Sequence, residues 1–104
     1  MGLYRQGDVL FVPVNKIPNG KKRDPRKPES AVLIEGETTG HAHRCAVLDA
    51  VEVLDCGKGL YLKVGDEGLS IVHEEHAPIM LPKGDYEVRR QREYEPAGIR
   101  NVQD

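Results

Sequence analysis

The segment Leu60-Tyr61-Leu62-Lys63-Val64 lies between two glycine-containing stretches, Gly57-Lys58-Gly59 and Gly65-Asp66-Glu67-Gly68. Successive side chains of a strand point to opposite sides, so the three aliphatic residues of this segment share one face. The pattern predicts a half-buried strand between two tight turns. The rest of the chain follows the same plan, with short apolar stretches separated by turn residues.

Similar patterns predict strands over residues 8–14, 31–35, from His41 toward Val53, 69–73, 78–81 and 85–94. Pro13 cannot donate a ladder hydrogen bond, so it indicates an edge strand or a strand end. Eleven Gly and seven Pro in 104 residues favour many turns over long helices. We therefore expect a mostly β fold, a small antiparallel β-barrel or β-roll, in a single domain over residues 1–104 with a tail at 96–104.

Composition excludes some classes of protein. The net charge of −2 and the pI near 6.1 provide no general attraction to nucleic acid or to anionic membranes. No apolar stretch is long enough to span a bilayer and Met1–Arg5 is not a signal peptide, so we expect a cytoplasmic protein. Cys45 and Cys56 do not form a Cys-x-x-Cys pair, and we expect two free thiols.

Residues 15–30 stand apart from this pattern, because they contain six of the fifteen basic residues and three of the seven prolines. A segment with so little apolar surface is expected to be a mobile basic loop. Its charges offer a surface for an acidic partner or for nucleic acid. The loop contains no aromatic side chain for base stacking, which disfavours the nucleic-acid interpretation. The residues concerned are Lys21, Lys22, Arg23, Arg26 and Lys27.

All four histidines fall in two short clusters, His41-Ala42-His43 and His73-Glu74-Glu75-His76. In an unbroken strand from His41, the odd positions place both histidines on one face with Cys45, Val47, Val51 and Val53. His73 shares the parity of Leu69 and Ile71. Three histidines are therefore expected to point toward the apolar interior.

Imidazole and carboxylate groups together favour a first-row divalent metal, which we expect to be zinc, nickel, manganese or iron. The predicted ligands are His41, His43, His73 and His76. Glu74 and Glu75 are candidates for a further ligand or for a general base beside a metal-bound water, with Glu37 a weaker one. The simpler alternative is that the histidines have structural or interface roles. Whether the chain catalyses a reaction, and on which substrate, stays open.

Cys45 lies two residues from His43 on the same nominal face, which places a base near a thiol. A buried structural cysteine is the commoner case, since an activated thiol needs a lowered pKa. Tyr86, Val88 and Tyr94, interleaved with Arg90 and Arg92, would suit an interface between copies, and we expect a homo-oligomer.

Four segments together resemble a group of small uncharacterised bacterial proteins: Gln6-Gly7-Asp8-Val9-Leu10, Thr39-Gly40-His41-Ala42-His43, His73-Glu74-Glu75-His76 and Arg90-Gln91-Arg92-Glu93-Tyr94. This resemblance covers nearly the whole chain and implies one intact domain with a common site. It implies no activity.

Two looser resemblances concern the layout of the chain. His-x-His on a strand, followed by a Pro-x-Gly turn at Pro82-Lys83-Gly84, is similar to the cupin pattern, but Glu87 stands where that pattern has its last histidine. An apolar first strand followed by a long loop is similar to the small chaperonin co-factor, where the loop binds a partner. The alternative to a metal protein is therefore a non-enzymatic, oligomeric interaction module that uses the loop 15–30.

Overall fold

The computed structural model describes residues 2–35, 40–57 and 59–91, and these form two antiparallel sheets. The six-stranded sheet contains, in spatial order, β1 (Tyr4–Gln6), β2 (Val9–Val14), β10 (Gly84–Arg90), β7 (Leu60–Val64), β6 (Val51–Asp55) and β3 (Lys21–Lys22). The four-stranded sheet contains β4 (Val32–Glu35), β5 (Ala42–Cys45), β8 (Leu69–Val72) and β9 (Ile79–Leu81). A 3-10 helix, η1 (Pro28–Ala31), precedes β4.

One buried cluster of side chains draws on both sheets, so the core lies between them. Phe11 and Leu62 contribute from the six-stranded sheet, and Ile71 and Leu81 from the four-stranded one; all four are inaccessible to solvent. The predicted strand 60–64 has the expected bounds, and its Leu62 and Val64 point inward. Alternation along the strands is therefore sufficient to identify much of the core.

The prediction of a mostly β, antiparallel single domain is confirmed. A barrel or roll is not confirmed, because the described strands form two separate sheets and no closed barrel is found among them. β2 lies between β1 and β10, but β1 pairs only with Val9–Phe11. Pro13 pairs with Tyr86 of β10 but lies beyond the end of β1, so on that side no described strand needs its missing N–H.

The strand expected from His41 toward Val53 is broken. β5 ends at Cys45 in the four-stranded sheet, and β6 begins at Val51 in the other sheet. The odd-position pattern therefore does not continue through the intervening residues. Val47, expected to point inward, has 55% of its surface exposed. Cys45 and Cys56 are free thiols, as predicted.

The oligomer interface expected on the last strand is wrong in part. Tyr86 and Val88 have only 3% and 6% of their surface exposed because they belong to the core between the sheets. Tyr94 and Arg92 lie outside the described residues, as does the expected tail at 96–104. Oligomerisation itself stays a prediction. None of the described elements is a helix long and apolar enough to cross a membrane.

Residues 15–30, expected to be a mobile loop, contain β3 and most of η1. β3 pairs with β6, and Arg23 extends the pairing by donating its backbone N–H to Val53 O. The Arg23 guanidinium binds both oxygens of Asp55 and donates to the carbonyl oxygens of Ser30 and Val32. The segment thus contains some regular structure, and Arg23, counted among the partner-binding charges, connects it to both sheets. Its mobility stays a prediction.

We predict that Arg23→Met lowers the free energy of unfolding by about 2–4 kcal/mol, since several hydrogen bonds to a charged donor are lost and their acceptors remain. Arg26→Met is the matched control. Arg26 has 88% of its side chain exposed and binds only the nearby Asp24, so its loss should cost less than about 0.5 kcal/mol. Urea denaturation measures both. Equal losses would contradict the assigned role of Arg23.

Candidate functional site

The structure brings the four histidines together. β5 pairs with β8 in a register that matches Arg44 with Val72, which places His43 beside His73 just beyond the end of β8. The His73 ring contacts the other three rings, with centroid distances of 4.4 Å to His43, 4.6 Å to His76 and 5.8 Å to His41. The predicted convergence of the two clusters is thus found, with His73 at its centre.

His43 is the buried member of the cluster, with 2% of its surface exposed. Its Nδ1 lies 2.8 Å from Oε1 of Gln6, and the Gln6 amide nitrogen donates to the carbonyl oxygens of Ile71 (2.9 Å) and Ala77 (3.0 Å). These two acceptors fix the amide orientation, so the atom facing His43 is an oxygen. An oxygen accepts only from a protonated nitrogen, and neutral His43 therefore carries its proton on Nδ1 and a lone pair on Nε2.

Asp8 lies in the turn between β1 and β2, and the His76 ring lies against the same turn. Oδ1 of Asp8 lies 3.8 Å from Nε2 of His43. Gly7 has a φ of +62°, and a methyl group added to it would lie 2.6 Å from Nε2 of His76. Only glycine combines this backbone conformation with that close approach. The turn therefore lies against the His76 ring at Gly7 and carries the Asp8 carboxylate toward Nε2 of His43.

Arg90 holds Asp8 from the other side. Its guanidinium lies 3.3 Å from Oδ2 of Asp8 and donates to Glu35 O at 2.7 Å. The backbone N–H of Gln91 also donates to Asp8 O. Arg90 connects β10 of one sheet to β4 of the other, and it leaves the Oδ1 atom of Asp8 on the side of His43.

Burial, together with His73, His76 and Arg90 and against an opposing effect of Asp8, lowers the pKa of His43 from 6.5 to about 4. Transfer of a charged imidazolium into a low-dielectric site is unfavourable, and nearby positive charge adds to that cost. His43 is therefore neutral at pH 7, which is the form in which histidine binds a metal.

The two glutamates between His73 and His76 differ in role. Glu74 accepts from the backbone N–H of Ala42 through Oε1 and from Arg44 through Oε2. The Arg44 bond, with the Ala42 bond second, holds the pKa of Glu74 down at about 2. Both oxygens of Glu74 are thus engaged in fixing the turn to β5, which leaves Glu75 as the better candidate for a base.

Glu75 lies at the outer side of the cluster, with 62% of its side chain exposed and its Oε2 3.2 Å from Nδ1 of His41. Its backbone N–H donates to Nδ1 of His73 at 2.9 Å. A nitrogen that accepts a hydrogen bond is unprotonated, so His73 carries its proton on Nε2. His43 and His73 therefore present opposite groups, a lone pair on one Nε2 and an N–H on the other.

Within residues 2–35, 40–57 and 59–91, no group of three or more His, Cys, Asp or Glu side chains already has the spacing of a metal site. Glu37 lies outside these ranges. The burial of Cys45 raises the pKa of its thiol to about 12, so it is not an activated nucleophile despite its place near His43.

Among the basic residues of the 15–30 segment, three have carboxylate partners: Lys22 with Glu52, Arg23 with Asp55 and Arg26 with Asp24. Lys21 and Lys27 line an open groove of about 710 Å³ between this segment and β4. The groove is also lined by Asp24, Glu29, Glu35 and Asp55, so its charges are mixed.

A family model described as a domain of unknown function (DUF8820) matches residues 5–91. The chain belongs to this family. No curated protein and no solved structure is similar to it. The resemblance to an uncharacterised group is confirmed at the level of this DUF8820 family, whereas the likeness to cupins and to the chaperonin co-factor finds no support in the comparisons.

The match begins just before Gln6 and ends at Gln91, so it includes the four histidines and the residues around them that sequence reasoning gave no role. Gln6, Gly7 and Asp8 belong to this second group, and Arg90 had been assigned only to an interface between copies. They stand in two of the segments on which the resemblance rested, and that was the one signal in the sequence that pointed to them.

We predict that Gln6→Met lowers the free energy of unfolding by about 2–4 kcal/mol, because two buried carbonyl oxygens lose their donor and His43 loses its acceptor. Arg5→Met, at an exposed position of the same strand, is the control and should cost less than about 0.5 kcal/mol. Denaturant titration at pH 7 measures both. A change of less than about 1 kcal/mol in the Gln6 variant would contradict the described bonds.

A second prediction concerns pH. Unfolded His43 takes up its proton near pH 6.5 and folded His43 near pH 4, so between these values the unfolded state binds more protons. The free energy of unfolding should fall by about 3 kcal/mol from this residue as the pH drops from 6.5 to 4, and the effect should level off below pH 4.

His43→Gln removes this titration. The free energies of unfolding of wild type and variant are measured by urea denaturation in the presence of a chelator. Their difference should shrink by about 3 kcal/mol between pH 7 and pH 4. A difference that does not change with pH would show that His43 has an ordinary pKa in the folded protein.

Proposed function

We propose that this domain binds one divalent metal ion through Nε2 of His43, Nε2 of His76 and the carboxylate of Asp8. The observation that carries the proposal is the state of His43. Gln6 holds its proton on Nδ1, burial keeps it neutral, and its Nε2 lone pair faces Asp8 Oδ1 at 3.8 Å. A ligand histidine whose other nitrogen is fixed by a hydrogen bond is the usual arrangement around protein-bound metals.

The spacing of the groups supports this ligand set. With metal–nitrogen bonds of about 2.0–2.1 Å, two imidazole ligands of one ion have centroids about 4.5–5.5 Å apart, and nitrogen and oxygen ligands lie about 3.3 Å apart. The observed values are 6.1 Å between His43 and His76 and 3.8 Å between His43 and Asp8. The rings of His43 and His76 lie nearly parallel, 11° apart, so they would have to turn as well as approach for both Nε2 atoms to bind one ion.

Two imidazoles and one carboxylate suit zinc, nickel, manganese or iron, and three protein ligands leave positions open for water or substrate. His41 and His73 then lie beside the ion without binding it, which narrows the original set of four histidines. Glu75, exposed at the outer side of the cluster, is our candidate for a base toward a metal-bound water. Metal-assisted conversion of a small molecule is the activity this arrangement favours.

The alternative, an interaction module that binds an acidic partner or nucleic acid through residues 15–30, ranks second. The carboxylate partners of Lys22, Arg23 and Arg26 compete with phosphate or acidic side chains. Assembly into a homo-oligomer and a cytoplasmic location stay expectations, the former without the interface first assigned to it.

The test is elemental analysis of untagged protein purified without chelator. We expect one zinc, nickel, manganese or iron ion per chain, or uptake of one added ion by isothermal titration calorimetry. His43→Ala, His76→Ala and Asp8→Asn should each lower the affinity at least about tenfold, on the scale found for losses around metal sites.

His41→Ala is the matched control from the same cluster, and it should retain the ion. A folded wild-type protein that neither contains nor takes up any of the four metals would refute the proposal. Loss of the ion in His41→Ala with retention in Asp8→Asn would show that the ligand set is wrong.

A further inference from the structure

His41 and Glu75 form a pair of side chains that the proposed metal site does not need. Nδ1 of His41 lies 3.2 Å from Oε2 of Glu75. An ionised carboxylate can only accept a hydrogen bond, so Nδ1 is the donor and the neutral ring has its lone pair on Nε2. The histidine of a Ser-His-Asp triad is held by a carboxylate in the same way. The pair therefore makes Nε2 the reactive nitrogen of His41.

The other three histidines do not offer such a nitrogen to a molecule from solution. His43 has only 2% of its surface exposed. Nε2 of His76 faces Gly7 so closely that a methyl group added there would lie 2.6 Å away. Nε2 of His73 carries a proton, because its Nδ1 accepts from the backbone N–H of Glu75 at 2.9 Å. Glu75 thus sets opposite protonation patterns on His73 and on His41.

His41 stays accessible, with 24% of its side chain exposed. In a triad, the histidine activates a neighbouring hydroxyl or thiol. Among the residues that the structure describes, no serine or threonine side chain is hydrogen-bonded to His41, and burial raises the pKa of the nearby Cys45 thiol to about 12. Histidine can also form a covalent bond itself. The nucleophile of this pair is therefore the ring nitrogen.

The charges beside His41 indicate which class of molecule the ring would attack. The bond from Arg44 holds the pKa of Glu74 down at about 2 and also counters its charge, whereas the carboxylate of Glu75 lies directly against the His41 ring. A phosphate ester would be repelled by this carboxylate. The positive charge that develops on the ring when Nε2 forms a bond would be stabilised by it. A neutral acyl ester satisfies both conditions.

We infer that His41 is a nucleophile toward neutral acyl esters, positioned by Glu75, and that this activity needs no metal ion. Nε2 bonds to the carbonyl carbon, the ester C–O bond breaks, and the alcohol leaves as its anion. The acylated ring is positive, and its Nδ1–H stays bound to Glu75. Water then adds to the acyl carbon, and the C–N bond breaks and returns its electron pair to Nε2. The remaining proton of the water neutralises the alcohol anion, which gives a carboxylic acid and an alcohol.

The test uses the full chain in the presence of a chelator, with p-nitrophenyl acetate as the probe, because its leaving group absorbs visible light. Wild type should release p-nitrophenolate at least about tenfold faster than His41→Gln, which lacks the nucleophile. Glu75→Gln can still accept from Nδ1 but has no charge, so it should also be at least about tenfold slower than wild type. Glu75→Asp, which restores the charge, should recover part of the rate. Cys56→Ser removes the more accessible thiol and should keep the wild-type rate.

A second measurement locates the covalent intermediate. Mass spectrometry of acid-quenched wild type should find one acetyl group, on His41. A wild-type rate no higher than that of His41→Gln, or acetyl groups only on lysines or on Cys56, would overturn the inference. Equal rates in wild type and Glu75→Gln would overturn the role given to Glu75. Because the chelator removes any bound metal, these results do not depend on the proposed function.

Discussion

The side-chain amide of Gln6 is the interaction on which the rest of this structure depends. Gln6 lies on the six-stranded sheet, and its amide N–H groups donate to two carbonyl oxygens of the four-stranded side. One is Ile71 O on β8 and the other is Ala77 O in the turn before β9. Its oxygen then has to face His43. The amide that joins the sheets therefore also sets the protonation state of the buried imidazole, and fold and candidate site share one set of hydrogen bonds.

Arg23 and Arg90 extend the same principle. Arg23 follows β3 and Arg90 belongs to β10, both of the six-stranded sheet. Each donates to a carbonyl oxygen of β4, Arg23 to Val32 O and Arg90 to Glu35 O. β4 is an edge strand, and an edge strand presents unpaired carbonyl groups that favour association with other chains. The two guanidinium groups donate hydrogen bonds to two of the carbonyl groups of this strand. Three long polar side chains thus connect sheets that share no backbone ladder among the described residues.

The sequence predicted features that depend on neighbouring residues of the chain, and it did not predict contacts between residues that lie far apart along the chain. Strand 60–64 follows from alternation, which is local, whereas Tyr86 and Val88 of the last strand were assigned to an interface and lie in the core. The meeting of the histidine clusters also followed, because the pairing of two predicted strands brings them together. The role of Gln6 did not follow, since its partners lie 37, 65 and 71 residues away. Arg23 was misjudged for the same reason, because its carboxylate partner lies 32 residues further along the chain.

The central claim is that His43 is a neutral imidazole protonated on Nδ1, with its Nε2 lone pair directed toward Asp8. Long-range proton–nitrogen correlation NMR of the metal-free, ¹⁵N-labelled protein at pH 7 measures this state directly, because the protonated and unprotonated ring nitrogens have distinct shifts. We predict a protonated Nδ1 and an unprotonated Nε2 for His43, with the opposite pattern for His73. A His43 ring protonated on Nε2, or on both nitrogens, would contradict the role assigned to Gln6 and remove the basis for the metal site.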